Sequence, residues 1–227
     1  MKKLIAAMIV AIAAVPASAS ILYQDSVGDV FTGAGGGILD IVSLEVNNDA
    51  TNISFKFTLA GDVEATDWGK YMVILDTDPG GDTVGNGWGR PISMTQGADY
   101  WIGSWVDSGN GAELYNYSGV WSRTEATYDP APNNDISISK SGNTVTVTTL
   151  LSNMGLSAGD IVFLDAFTSG GGGGDGAVDS LGNSGIQIGD WGNPSEAHIV
   201  TYQVKVPEPS TIALVGLGAL ALIRRRR

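Results

Sequence analysis

Three aspartates crowd into the stretch Asp76-Thr77-Asp78-Pro79-Gly80-Gly81-Asp82. Calcium takes about six to eight oxygen ligands, and carboxylates near alternate positions of a glycine-rich turn can supply several of them. The segment is not an EF-hand loop, because Gly87 stands where a bidentate glutamate would close the site. Asp76, Asp78 and Asp82 are thus a candidate structural calcium site. The competing reading is an Asp-Pro-Gly turn whose aspartates cap backbone amides. Asp165 sits between Leu164 and Ala166 in an apolar run, and a buried carboxylate requires hydrogen-bond partners or a metal.

The second group able to do chemistry is aromatic. The six tryptophans are Trp68, Trp88, Trp101, Trp105, Trp121 and Trp191. Sugar rings present apolar C–H faces that stack on aromatic planes. In Tyr100-Trp101-Ile102-Gly103-Ser104-Trp105, strand alternation puts both indoles on one face, with Gly103 leaving a shallow slot between them. Trp88, in the glycine-rich Gly85-to-Arg90 segment, is expected at the surface, and Arg90 beside it can hydrogen-bond hydroxyls or carboxylates. Trp88, Arg90, Trp101 and Trp105 are the candidate ligand-binding residues, against the alternative that Trp101 and Trp105 are core.

Catalysis is poorly served, and no catalytic residue is assigned. The one histidine, His198, follows Ser195 by three residues without a G-x-S-x-G elbow. The chain has no cysteine, which removes thiolate metal sites, disulfides and cysteine nucleophiles together. A net charge of −12 argues against a nucleic-acid partner, which needs clustered Lys and Arg. Paired carboxylates for glycoside hydrolysis stay a subordinate alternative.

The elements that must position these residues are strands. Ile53, Phe55, Phe57 and Leu59 alternate with polar residues, as in a sheet with one wet face. Lys70 to Leu75 and Asp160 to Phe167 are nearly continuous apolar runs, expected of central strands covered on both sides. Ser141-Gly142-Asn143 predicts a hairpin turn, and Val200, Tyr202, Val204 and Val206 a last apolar face. Ser169 to Gly176 (SGGGGGDG) predicts a flexible surface connection. A body of about 185 residues, 20–205, suits one all-β antiparallel sandwich.

The ends are processing signals. Residues 1–19 combine Lys2 and Lys3, an apolar run from Leu4 to Val15 and Ala17-Ser18-Ala19, the pattern of a signal-peptide helix cut by signal peptidase after Ala19. At the other end Pro207-Glu208-Pro209 precedes an apolar run at 211–223 and Arg224 to Arg227. Thirteen residues are short for a membrane-spanning helix and suit transient anchoring, with the arginines held inside. Residues 206–227 closely resemble a PEP-CTERM sorting signal. The resemblance implies an exosortase-type enzyme as partner and delivery across the inner membrane to the cell surface or extracellular matrix of a Gram-negative bacterium.

The body resembles the DOMON-like and family-nine carbohydrate-binding-module-like sandwiches. The resemblance rests on Asp25-x-x-Gly28-Asp29, Leu39-Asp40-Ile41, Ile53 to Phe57, Asp76-Thr77-Asp78 and Ile161-Val162-Phe163. It implies a jelly-roll-like fold that binds sugars or other small ligands, often with structural calcium, and sets Asp25 and Asp29 near the start of the first strand. Asp25, Asp29 and Asp165 form a second candidate cluster. Haem ligation would need a methionine paired with His198, and nothing in the sequence pairs His198 with Met72, Met94 or Met154. The expected function is a non-catalytic module associating with extracellular polysaccharide. The alternatives are a structural matrix protein without a specific ligand, or a glycan-active hydrolase. With the ends set aside, 6 basic face 23 acidic residues, and the body carries −17.

Overall fold

A computed structural model describes residues 19–128 and 134–205. The expected signal-peptide helix and the sorting segment with its apolar helix lie outside these residues. Among the described residues no helix is long and apolar enough to cross a membrane.

The chain runs through β1 (Ala19–Gln24), β2 (Ile41–Asn48), β3 (Asn52–Leu59), β4 (Lys70–Asp76), β5 (Ile92–Ser93), β6 (Tyr100–Trp105) and β7 (Gly111–Tyr117). It continues through β8 (Trp121–Ala126), β9 (Ile136–Ser141), β10 (Thr144–Leu150), β11 (Ile161–Ser169), β12 (Asp179–Ser180), β13 (Ser195–Glu196) and β14 (Val200–Gln203). One antiparallel sheet has the order β1-β2-β3-β10-β9. The other has the order β12-β11-β4-β6-β7-β8, with β14 also paired to β11. A short parallel pair, β5 with β13, ties two loops together.

The sheets face each other over one core, in the manner of a β-sandwich. Ile53, Phe55, Phe57 and Leu59 of β3 are fully buried and share a cluster with Tyr71, Val73 and Leu75 of β4 and Val162 and Leu164 of β11. The Phe57 and Tyr71 rings lie 5.7 Å apart at 54°, and the Tyr71 hydroxyl donates to Ile38 O at 3.0 Å. The second sheet is covered on its outer face too. Met72, Ile74, Trp101 and Phe167 pack there against Ile92, Met94, Ala98, Ala177 and Ala197, which the loops contribute. This double cover is why β4 and β11 read as apolar runs rather than alternating ones. It stops short of the start of β11, where Ile161 and Phe163 are 48% and 36% exposed.

Ser141 pairs with Thr144 across a two-residue turn in which Gly142 takes φ +55°, where a glycine is favoured. The glycine-rich segment after β11 forms no strand, but it is braced. Arg90 Nη1 donates to Asp175 O at 2.7 Å and Nη2 to Gly170 O at 3.2 Å. The Asp175 carboxylate accepts from Gly172 N at 2.8 Å. The expected loose connection is thus a loop wound around a buried guanidinium.

Candidate functional site

Where β1 ends, the chain turns through Asp25 to Asp29, and Gly28 N donates to both carboxylate oxygens of Asp40 at 3.1 and 3.0 Å. This fold-back brings Asp25 and Asp29 to Asp179 of β12, with carboxylate oxygens of all three within 4.8 Å of one another. Asp179 is 1% exposed. Its Oδ2 accepts from Ile41 N at 2.7 Å and its Oδ1 from Ser180 N at 2.9 Å. Asp25 Oδ2 and Asp29 Oδ1 are buried with no hydrogen-bond partner among the described residues. The ion pairs Lys56–Glu45, Lys70–Asp107, Arg123–Glu113 and Lys140–Asp67 all lie away from the cluster. Burial, then the charges of Asp25 and Asp29, push Asp179 up to about 8. Burial, then neighbouring Asp29 and Asp40, push Asp25 up to about 6. The group suits a hard divalent cation, which needs several negative oxygens held together.

Of the second candidate cluster, Asp25 and Asp29 meet and Asp165 stands apart from them. Asp165 is fully buried and accepts from Ala166 N, Gly182 N, the Ser180 hydroxyl and His198 N at 2.7 to 2.9 Å. Burial raises it to about 7, against the opposing pull of those four bonds. It is a tie between β11 and two loops, satisfied without a metal.

Of the turn aspartates, Asp82 is spent locally. Asp82 Oδ1 accepts from Val84 N and Gly85 N, and Oδ2 from Trp121 Nε1 at 2.8 Å. Asp99 caps the Asp76–Asp78 end, with Oδ2 accepting from Thr77 N and Asp78 N at 2.8 and 2.9 Å. Burial and then Asp99 push Asp76 up to about 6. Among the described residues, the grouping of three carboxylates close enough to share an ion is Asp25, Asp29 and Asp179.

Trp88, Trp101 and Trp105 pack together on the outer face of the second sheet, whereas Trp68 and Trp191 pack on each other against the core between the sheets. Trp101 is fully buried. Trp88 fills the slot expected over Gly103, lying 6.1 Å from the Trp101 ring and 6.3 Å from Trp105. A Cβ at Gly103 would collide with the Trp88 ring, and one at Gly111 with Trp105. Arg90 lies over Trp88 at 5.3 Å, but its guanidinium is committed to Ser169, Gly170 and Asp175. Half-buried Trp88 and Trp105, with Lys70, Asp107 and Gly171, line an open groove of about 430 Å³. Lys70 Nζ donates to both Asp107 carboxylate oxygens at 3.0 and 3.1 Å.

Beneath the indoles is Glu113, which the sequence reading missed. It is 6% exposed and accepts from Trp88 Nε1 at 2.6 Å, Arg123 Nη1 at 2.9 Å, Tyr115 OH at 3.2 Å and Tyr128 OH. Burial would raise this carboxylate, but the bonds from Tyr128, Trp88, Arg123 and Tyr115 outweigh it and hold it below the usual range. The signal was a lone acid among aromatics in Glu113-Leu114-Tyr115-Asn116-Tyr117. His198 has an exposed side chain, and Ser195 Oγ is buried with no hydrogen-bond partner among the described residues, so these residues do not make a catalytic pair.

Comparison with known proteins speaks to the far end of the chain. Residues 205–227 match the family described as PEP-CTERM protein-sorting motif. The motif marks a secreted, exosortase-processed surface protein of the Gram-negative type. Compared with curated proteins, the chain matches none.

Proposed function

We propose that the protein is a non-catalytic, surface-displayed sandwich that associates with extracellular polysaccharide through the groove between Trp88 and Trp105. The observation that carries this reading is the pairing of two half-buried indoles with Lys70 and Asp107 along a 430 Å³ open groove. Indole planes suit sugar C–H faces, and a flanking ammonium–carboxylate pair suits hydroxyls. Glu113 and Gly103 hold Trp88 in place, so the platform costs little ordering on binding. The likeness to DOMON-like and family-nine modules, with its jelly-roll-like order, belongs to the same reading.

Titration of the processed protein with neutral and acidic polysaccharides tests it. Heat is expected with at least one chain type and is expected to vanish in Trp105→Ala. No heat with any polysaccharide would leave the alternative of a matrix protein without a specific ligand.

The proposal includes a structural calcium ion held by Asp25, Asp29 and Asp179, with Asp40 alongside. It is supported by the buried unpartnered oxygens of Asp25 and Asp29 facing a nearly inaccessible third carboxylate. It also includes export with signal-peptidase cleavage after Ala19 and final residence at the surface or in the matrix.

A further inference from the structure

Both ends of the described chain meet at one residue. Ala19 pairs with Asn48 in the β1–β2 ladder. The Asn48 carboxamide in turn binds both backbone groups of Lys205. Its Nδ2 donates to Lys205 O at 3.0 Å, and its Oδ1 accepts from Lys205 N at 3.0 Å. Oδ1 also accepts from the Tyr202 hydroxyl at 2.6 Å, and Asn48 is 1% exposed. A carboxamide that satisfies the N–H and C=O of one residue stands in for a strand, and fixes where the chain leaves the fold.

The sorting motif begins at residue 205, so it starts at this clamp with no linker. Residues 206 to 210 are all that separate Lys205 from the apolar run at Thr211. Fully extended, five residues reach at most about 18 Å. Any membrane enzyme that grips Pro207-Glu208-Pro209 must therefore lie against this pole of the sandwich.

The pole is not flat. Beside the clamp is a groove of about 400 Å³, with Ala50, Leu151, Leu156 and Val204 among its apolar lining and Asp49 and Lys205 among its polar lining. Its walls are fixed by backbone bonds, Leu151 N to Thr51 O at 2.9 Å and Leu156 N to Leu151 O at 3.0 Å.

We propose that this groove docks the exosortase-type sorting enzyme, taking an apolar side chain from its outer surface while the enzyme's cleft holds the Pro-Glu-Pro segment. The shortness of the tether favours that occupant, because it places the enzyme within reach of the groove. A body of net charge −17 disfavours an anionic lipid surface as the alternative. The inference rests on the sorting motif and is independent of polysaccharide binding.

The test follows the full chain in a host that carries the sorting enzyme, measuring the half-time for conversion of precursor to its shortened form. Ala50 and Ala158 are exposed, so Ala50→Trp and Ala158→Trp can fill the groove with the melting temperature of the body unchanged. Each is expected to slow conversion about tenfold. Inserting about ten glycine and serine residues after Lys205 is expected to slow it too, because pole and cleft no longer engage together. Conversion at the parent rate or faster in the filled and lengthened chains overturns the proposal. So does a change from dimer to monomer in Ala50→Trp with conversion unaltered, which would make the groove a contact between copies. Glu208→Ala should stop conversion in every background; if it does not, the motif assignment fails and the docking that rests on it falls too.

Discussion

The two poles of the sandwich are ends of the same pair of strands, yet they solve the problem of buried polar groups in opposite ways. At one end of β1 and β2, Asn48 is neutral and fits donor to acceptor and acceptor to donor on Lys205. At the other end, Asp25, Asp29 and Asp179 gather three groups that can only accept when ionised. A neutral amide is satisfied by the chain itself, whereas crowded carboxylates repel and stay costly unless a proton or a cation joins them. The tail pole is thus closed by sequence alone, and the acid pole is the place where solution conditions can act.

The largest effect should come from the closed pole. Asn48→Leu removes both Lys205 bonds and the Tyr202 bond, at about 3 kcal/mol, which lowers the melting temperature by roughly 6–12 °C in a body of this size. That loss should be the same with or without calcium. A loss that millimolar calcium repaired would mean the poles are coupled and would break the contrast.

Next in size is calcium itself. At about a hundred times its dissociation constant, an ion bound only by the native state adds about 2.7 kcal/mol. Relative to chelator, calcium is expected to raise the melting temperature and slow amide exchange at Gly28, Ile41 and Ser180, while leaving Lys205 unchanged. Asp29→Asn should abolish the gain. No difference between chelator and calcium would sink the metal assignment.

A smaller effect belongs to neither pole. Gly103→Ala forces Trp88 off its seat and should cost about 1–3 kcal/mol by overpacking, readable as a change in tryptophan fluorescence and in polysaccharide affinity together. Unchanged fluorescence would mean that Trp88 is not seated on Gly103.

The smallest is pH. Asp165, pushed up to about 7, and Asp76, to about 6, hold protons in the native state that an unfolded chain releases near pH 4. Stability is therefore greatest in mild acid and is lost as pH rises toward 7. With chelator present, the melting temperature at pH 8 should lie below that at pH 5. A higher value at pH 8 would contradict the burial of Asp165.

Legibility followed the range of the interactions. The alternation in β3, the apolar runs of β4 and β11 and the Gly142-Asn143 turn are local signals, and each sits where the sequence places it. The candidate sites were half legible. Asp25 and Asp29 are neighbours in sequence, but Asp179 joins them only because β12 pairs with β11, Thr168 opposite Asp179. Arg90 looks like a surface donor beside a tryptophan, and only the return of the 170–175 loop turns it into a buried brace. Three carboxylates in the Asp76–Asp82 turn look alike in the sequence, yet that of Asp82 is already taken by two backbone amides and Trp121.

The pairing of Ala19 with Asn48 also sets an order of events. A peptidase needs its target segment extended and free, and a bond just inside a paired strand is extended but not free. With cleavage after Ala19, the leader must come off before β1 closes onto β2. Until then Ile21 and Tyr23, which pack against the core, have not taken their places there. If the leader is cut there, the first strand made is among the last to be laid down.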